Sequence, residues 1–187
     1  MRLERYAALL HKWSGAINLV APESLVDLWR RHMLDSAQLA NLLPKDRPRI
    51  ADLGSGAGFP GLVLAILECG VIHLVESDRR KAQFLREVSR ETAAAVTIHA
   101  ARIEELSPLS ARVVTARALA PLDRLLDYVA RHLAEGGLAL LPKGRGWQAE
   151  LAEAARRWEF AAATHPSLSD PEAQILAITA LRRKEGR

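Results

Sequence analysis

Residues 51–61 read Ala-Asp-Leu-Gly-Ser-Gly-Ala-Gly-Phe-Pro-Gly. The short apolar run Arg49–Leu53, with Asp52 near its end, suits a buried strand. Gly54, Gly56 and Gly58 follow at alternate positions. A helical pattern starts near Pro60, a residue suited to the first turn because it has no N–H to lose. Strand, glycine turn and helix bring backbone amides and a helix N-terminus close to a ligand.

The glycines admit two functional readings. Gly56-x-Gly58-x-x-Gly61 matches the dinucleotide fingerprint of NAD-binding oxidoreductases. Asp52-x-Gly54-x-Gly56-x-Gly58 resembles motif I of class I S-adenosylmethionine (SAM) methyltransferases. A carboxylate beside a pyrophosphate is repulsive, whereas the ammonium of SAM attracts it. Asp52 therefore favours the second reading, with a direct or water-mediated contact to that ammonium.

Working outward, strands are predicted at 48–53, 71–76, 95–99, 112–117, 137–142, 158–163 and 174–182. Helices are predicted at 2–14, 22–43, 60–68, 78–92, 122–134 and 147–157. Alternating strands and helices imply a parallel sheet covered on both faces. The last two strands are joined too briefly for a crossover helix and should pair as a hairpin. The expected fold is α/β, a Rossmann-like seven-stranded sheet of the class I methyltransferase type. One domain is expected, with residues 1–47 as an N-terminal helical cap and 48–187 as the SAM-binding core.

Ligands in open α/β sheets sit at the carboxyl ends of strands. Glu76 ends the second strand, where a carboxylate accepts both hydroxyls of a ribose. Ile103 and Glu104 follow the third strand, where an adenine would lie. Arg117 ends the fourth strand and Lys143 the fifth, with Arg145 just beyond. These three cations are expected to position a nucleotide and its phosphates. An ion pair of Arg117 with Glu104 or Glu105 is the structural alternative.

Composition bounds the rest. The chain has 187 residues, 49% hydrophobic and 26% charged, as in ordinary globular proteins. The apolar stretch Gly61–Val75 is interrupted by Glu68 and His73, and no membrane partner is expected. The N-terminus lacks the apolar core of a signal peptide, and the single Cys69 fits a reducing cytoplasm. No metal-ligand spacing is present. Net charge is +4 and the isoelectric point about 9.6. Of the 26 basic residues, 21 are arginine, which offers bidentate donors to phosphate. A polyanionic partner is the expectation, and an RNA-binding assembly factor without catalysis is a further reading.

Several motifs together resemble the ribosomal small-subunit methyltransferase G family (RsmG). They are Trp13-x4-Asn18-Leu19, His32-x2-Asp35-Ser36, Asp52 to Gly61, Leu74-Val75-Glu76-Ser77, Lys81-x2-Phe84-Leu85, Arg102-x-Glu104, Arg117-Ala118 and Lys143-Gly144. The resemblance implies a cytoplasmic enzyme that uses SAM to methylate N7 of one guanine in 16S ribosomal RNA. That guanine is 527, in the 530 loop, in the usual ribosomal numbering. The partner is then the small ribosomal subunit or an assembly intermediate, and not DNA. The resemblance also implies cofactor contacts at Gly54, Phe59, Ile103, Glu104 and Arg117, beside Asp52, Gly56, Gly58 and Glu76. No general base is expected, because guanine N7 carries an unprotonated lone pair. The stretch Thr115–Pro121 agrees: it lacks the Asn/Asp-Pro-Pro-aromatic motif of amine methylation.

Overall fold

The computed structural model describes residues 1–184. Seven strands form one sheet: β1 (Arg49–Leu53), β2 (Val71–Val75), β3 (Val96–His99), β4 (Ala111–Thr115), β5 (Leu133–Lys143), β6 (Trp158–Pro166) and β7 (Gln174–Arg183). Their order is β3-β2-β1-β4-β5-β7-β6. The first five run parallel, and β7 lies antiparallel between β5 and β6. The final hairpin forms as the sequence predicts, with its second strand seated inside the sheet.

The central strands are mostly apolar because helices cover both faces, with Asp52 and Thr115 as buried polar exceptions. On one face α1 (Arg2–Ser14), α4 (Gly61–Ile66) and α5 (Arg79–Thr92) enclose Tyr6, Leu10, Leu62 and Phe84. On the other, α6 (Leu122–His132) and α7 (Trp147–Arg157) enclose Leu122, Leu126, Val129 and Trp158. Asp78 caps α5, accepting from the amides of Arg80 and Lys81.

The continuous helix expected at 22–43 is broken. It divides into α2 (Pro22–Leu25), a π-helical turn (Trp29–Leu34), α3 (Asp35–Ala37) and a 3-10 turn (Gln38–Leu42). Local side chains compete with the backbone ladder here. Ser24 Oγ donates to the Ala21 carbonyl, and Ser36 Oγ donates to the His32 carbonyl. The wide turn buries Leu28, His32 and Met33 while leaving Trp29 outside.

Two strand ends also move. β4 stops at Thr115, so Arg117 stands two residues beyond it, in the connection to α6. β5 starts at Leu133 directly from α6, because Ala111 pairs with Leu133 across a register shift. Among the described residues no helix is long and apolar enough to cross a membrane.

Candidate functional site

The glycine turn leaves β1 with Gly54, Gly56 and Gly58 all at positive φ. At Gly56 an added Cβ would meet nothing closer than the Gly54 carbonyl at 3.8 Å. That position is sterically open, and Gly56 itself lines the cleft above the turn. At Gly61 the requirement is packing: a Cβ would lie 2.3 Å from Leu74 Cδ2 and 2.8 Å from Asp52 Oδ2. Gly61 is thus the point where α4 closes onto the sheet.

Two carboxylates hold this turn. Glu76 Oε2 accepts from the Gly56 amide at 2.8 Å, and Oε1 accepts from the Asp78 amide at 2.7 Å. Asp52 works from behind. Its Oδ1 accepts from the Thr115 hydroxyl at 2.9 Å and its Oδ2 from the Gly61 amide at 3.2 Å. Asp52 is fully buried and does not line the cleft. The direct ligand contact expected from the sequence is corrected: both oxygens point at protein donors. Burial pushes the Asp52 carboxyl up to about 6, and the Thr115 and Gly61 hydrogen bonds only partly offset it. A third tie comes from α1, where the buried Tyr6 hydroxyl donates to the Ala57 carbonyl at 2.5 Å.

A cavity of about 680 Å³ opens above the turn. Gly54, Gly56, Phe59, Glu76, Ile103, Glu104 and Arg117 line it, so the connections after β1, β2, β3 and β4 bring the predicted residues together. Its size suits a small organic ligand. Gly58 does not line it: its Cβ position faces Leu62 and Tyr6. Ile103 is buried, while Glu104 is exposed and paired with Arg102.

Arg117 does not pair with Glu104 or Glu105. It reaches the N-terminal segment, donating to Asp35 Oδ2 at 3.2 Å, the Arg31 carbonyl at 3.1 Å and His32 Nδ1 at 2.8 Å. A guanidinium only donates, so Nδ1 is the acceptor nitrogen of His32. The imidazole proton sits on Nε2, 2.8 Å from Ser24 Oγ. Burial, then the charges of Arg117 and Arg31, lower the His32 pKa to about 4. The ring stacks on Phe59 at 4.9 Å between centroids, and Arg117 lies 5.0 Å from the same Phe59 ring centroid. The sequence marked His32 and Asp35 only as a motif. The His-x-x-Asp spacing was the available signal, but its partner lies 82 residues from Asp35.

A second cavity of about 860 Å³ adjoins the first and shares Arg31, Arg117, Ala118 and Leu119 with it. Lys143 lines it, but the ammonium is engaged. It donates to Glu150 at 2.8 Å and to the Ala120 carbonyl at 3.0 Å, and the side chain is only 10% exposed. Arg145 lines neither cavity and pairs with Glu172. In this arrangement both cations are paired with acids, Lys143 with Glu150 and Arg145 with Glu172. Arg30 and Arg31 make no ion pair among the described residues and line the second cavity. Also among the described residues, no group of three or more His, Cys, Asp or Glu side chains is placed to hold a metal ion.

Known proteins share both this fold and this sequence. Residues 1–176 match the family model for rRNA small subunit methyltransferase G. The ribosomal RNA small subunit methyltransferase G of Paramagnetospirillum magneticum is 55% identical over 97% of this chain and 89% of its own length. Its namesake in Rhodospirillum centenum is 52% identical over 95% of this chain and 82% of its own length. Among solved structures, a TehB-like SAM-dependent methyltransferase from Corynebacterium glutamicum superposes with a TM-score of 0.60 at 17% identity, covering 94% of this chain and 96% of that one. The M. jannaschii TYW2 complex with SAM gives 0.63 at 12% identity, covering 84% and 78%. These structural likenesses concern the fold alone. With the sequence matches nearly end to end, the chain belongs to the rRNA small subunit methyltransferase G family.

Proposed function

We propose that this chain transfers the methyl group of SAM to N7 of a guanine in 16S ribosomal RNA, guanine 527 of the 530 loop. The observation that carries the reading is the Glu76–Gly56 bond at the cleft that both residues line, in a chain of this family.

The residues present fit SAM. Each Glu76 oxygen receives one backbone N–H, and a carboxylate oxygen has a second lone pair to offer a ribose hydroxyl. Ile103 would cover the adenine, with backbone groups at Ile103 and Glu104 meeting its edge. Gly54 and Gly56 allow close approach, and Phe59 and Arg117 form the far wall. Asp52 would act through the turn it holds.

SAM supplies an activated methyl group on a sulfonium, so the chain needs no general base. Its own task is placement: an acceptor nitrogen held in line at near-attack distance gains most of its rate from orientation. The second cavity would seat the guanine, with Arg31 and Arg117 at its junction with the cofactor cleft. Their role would be orientation and charge complementarity. The substrate would be the small subunit or an assembly intermediate, met in the cytoplasm.

Small subunits from cells lacking this protein should accept tritiated methyl from SAM in its presence. Borohydride and aniline treatment should then cleave their 16S RNA at one N7-methylated guanine. Transfer to no guanine N7 would overturn the proposal, and RNA binding without transfer would point to an assembly factor.

A further inference from the structure

We propose that Trp29, with Arg30 and Arg31 beside it, forms a docking surface for unpaired RNA. The indole stacks on a base and the guanidinium groups hold flanking phosphates. The inference rests on the reading of the substrate as RNA.

The π-helical turn sorts its residues by face. Leu28, His32 and Met33 are buried, while Trp29 is 50% exposed and Val26, one turn earlier, is 93% exposed. Water-exposed indole is unfavourable surface, and here it has no aromatic or cationic partner among the described residues. Arg30 and Arg31 follow it directly and are also exposed. With two guanidinium groups against the carboxylate of Asp27, the segment stays net positive. A partner of negative charge with flat faces meets both demands, and an unstacked nucleotide is such a partner. The surface is continuous with the site, because Arg30 and Arg31 line the second cavity and Arg31 also lines the cofactor cleft. Stacking on Trp29 would hold a neighbour of the target base while the target enters the cavity.

The full chain can be titrated with a ten-nucleotide single-stranded RNA and with an A-form RNA duplex. Trp29→Ala should weaken the single strand about 5- to 150-fold, the range for losing one base–aromatic stack, and leave the duplex unchanged. Trp29→Phe should restore most of the loss. Arg30→Gln with Arg31→Gln should reduce the salt slope of single-strand binding by about 1.4. Thermal melts matching the parent show that each variant is folded. Equal single-strand affinity of parent and Trp29→Ala overturns the proposal, as does an equal loss on duplex. If Trp29→Ala raises KM on small subunits without changing RNA binding, the surface meets a protein and the proposal also fails. Methyl transfer by the parent is read separately. Its absence would sink the enzymatic reading while the RNA surface stood or fell on its own titration.

Discussion

Arg117 donates to His32 Nδ1 at 2.8 Å, and this bond joins the N-terminal segment to the connection that follows β4. The same guanidinium pairs with Asp35, whose side chain is 14% exposed. Removing it leaves a largely buried carboxylate without its cation. Arg117→Ala should therefore lower stability by about 3 kcal/mol in urea titrations, the lower end of the range for breaking a buried pair. Lys should rescue little, because it cannot donate along three directions in one plane. An unchanged urea midpoint would show that the segment is held by packing alone.

Asp52 and His32 pull stability in opposite directions over nearly the same pH window. Asp52 has a native pKa of about 6 against an ordinary 3.8, so the native state binds more protons and stability falls as pH rises from about 4 to 6. His32 has a native pKa of about 4 against 6.5, so the unfolded state binds more protons there. Its contribution is present above pH 6.5 and is lost as pH falls towards 4. Each effect is on the order of 3 kcal/mol. Burial also lowers the pKa values of His73, His99 and His132, which adds to the His32 direction. The parent should therefore gain stability only gently from pH 4 to 6.5. Asp52→Asn should steepen that gain, and His32→Gln should flatten or reverse it. Parallel profiles for all three proteins would remove both assignments.

The two roles of glycine in the turn can be separated. Gly56→Val should give a folded protein with no SAM binding by calorimetry. Gly56 lines the cleft and its Cβ position is sterically open, while its φ of +55° costs about 1–2 kcal/mol. Gly61→Ala should instead damage the fold, since the Cβ meets Leu74 and Asp52 inside the core. Undiminished SAM affinity in folded Gly56→Val would dissociate the turn from the cofactor.

What was legible in the sequence was whatever local pattern determines. The glycine turn, the strand ends and the closing hairpin are set by short-range spacing and apolar runs, and they stand within a few residues of their predicted places. The helix expected at 22–43 was not legible as broken, because its apolar spacing is intact. The break involves Ser24 meeting His32 and Ser36 meeting a carbonyl. Likewise, strand-end logic brought Arg117 to the cleft but could not choose its acid. Glu104 and Glu105 precede the same strand in sequence, whereas the fold brings Asp35 across from the N-terminal segment. Asp52 reads in the sequence as a carboxylate for the SAM ammonium, whereas its actual direction, inward to Gly61 and Thr115, depends on β4 lying beside β1.

Glu76 has two duties that different substitutions distinguish. Glu76→Ala should weaken SAM by about 1–3 kcal/mol, through lost acceptors for the ligand and a loosened Gly56 amide. Glu76→Gln keeps one oxygen for a backbone N–H and should fall between parent and Ala. If calorimetry finds all three equal, Glu76 serves only the turn and the start of α5.

Lys143 and Arg145 should behave unlike each other and unlike Arg30 and Arg31. Lys143→Ala strands Glu150, which also accepts from the Leu122 amide at the start of α6. The loss should appear as about 1–2 kcal/mol of stability, the cost of leaving a partly buried acceptor short of its donor. Arg145 is 81% exposed, so Arg145→Ala should leave the urea midpoint in place. Neither should change the dependence of RNA affinity on salt, because Lys143 is occupied internally and Arg145 stands outside both cavities. Each of Arg30→Gln and Arg31→Gln should flatten that dependence by about 0.7 if it releases one single-strand phosphate contact. Titrations at several salt concentrations decide the matter: a flattened slope in Lys143→Ala would mean that the ammonium leaves Glu150 for phosphate when RNA binds.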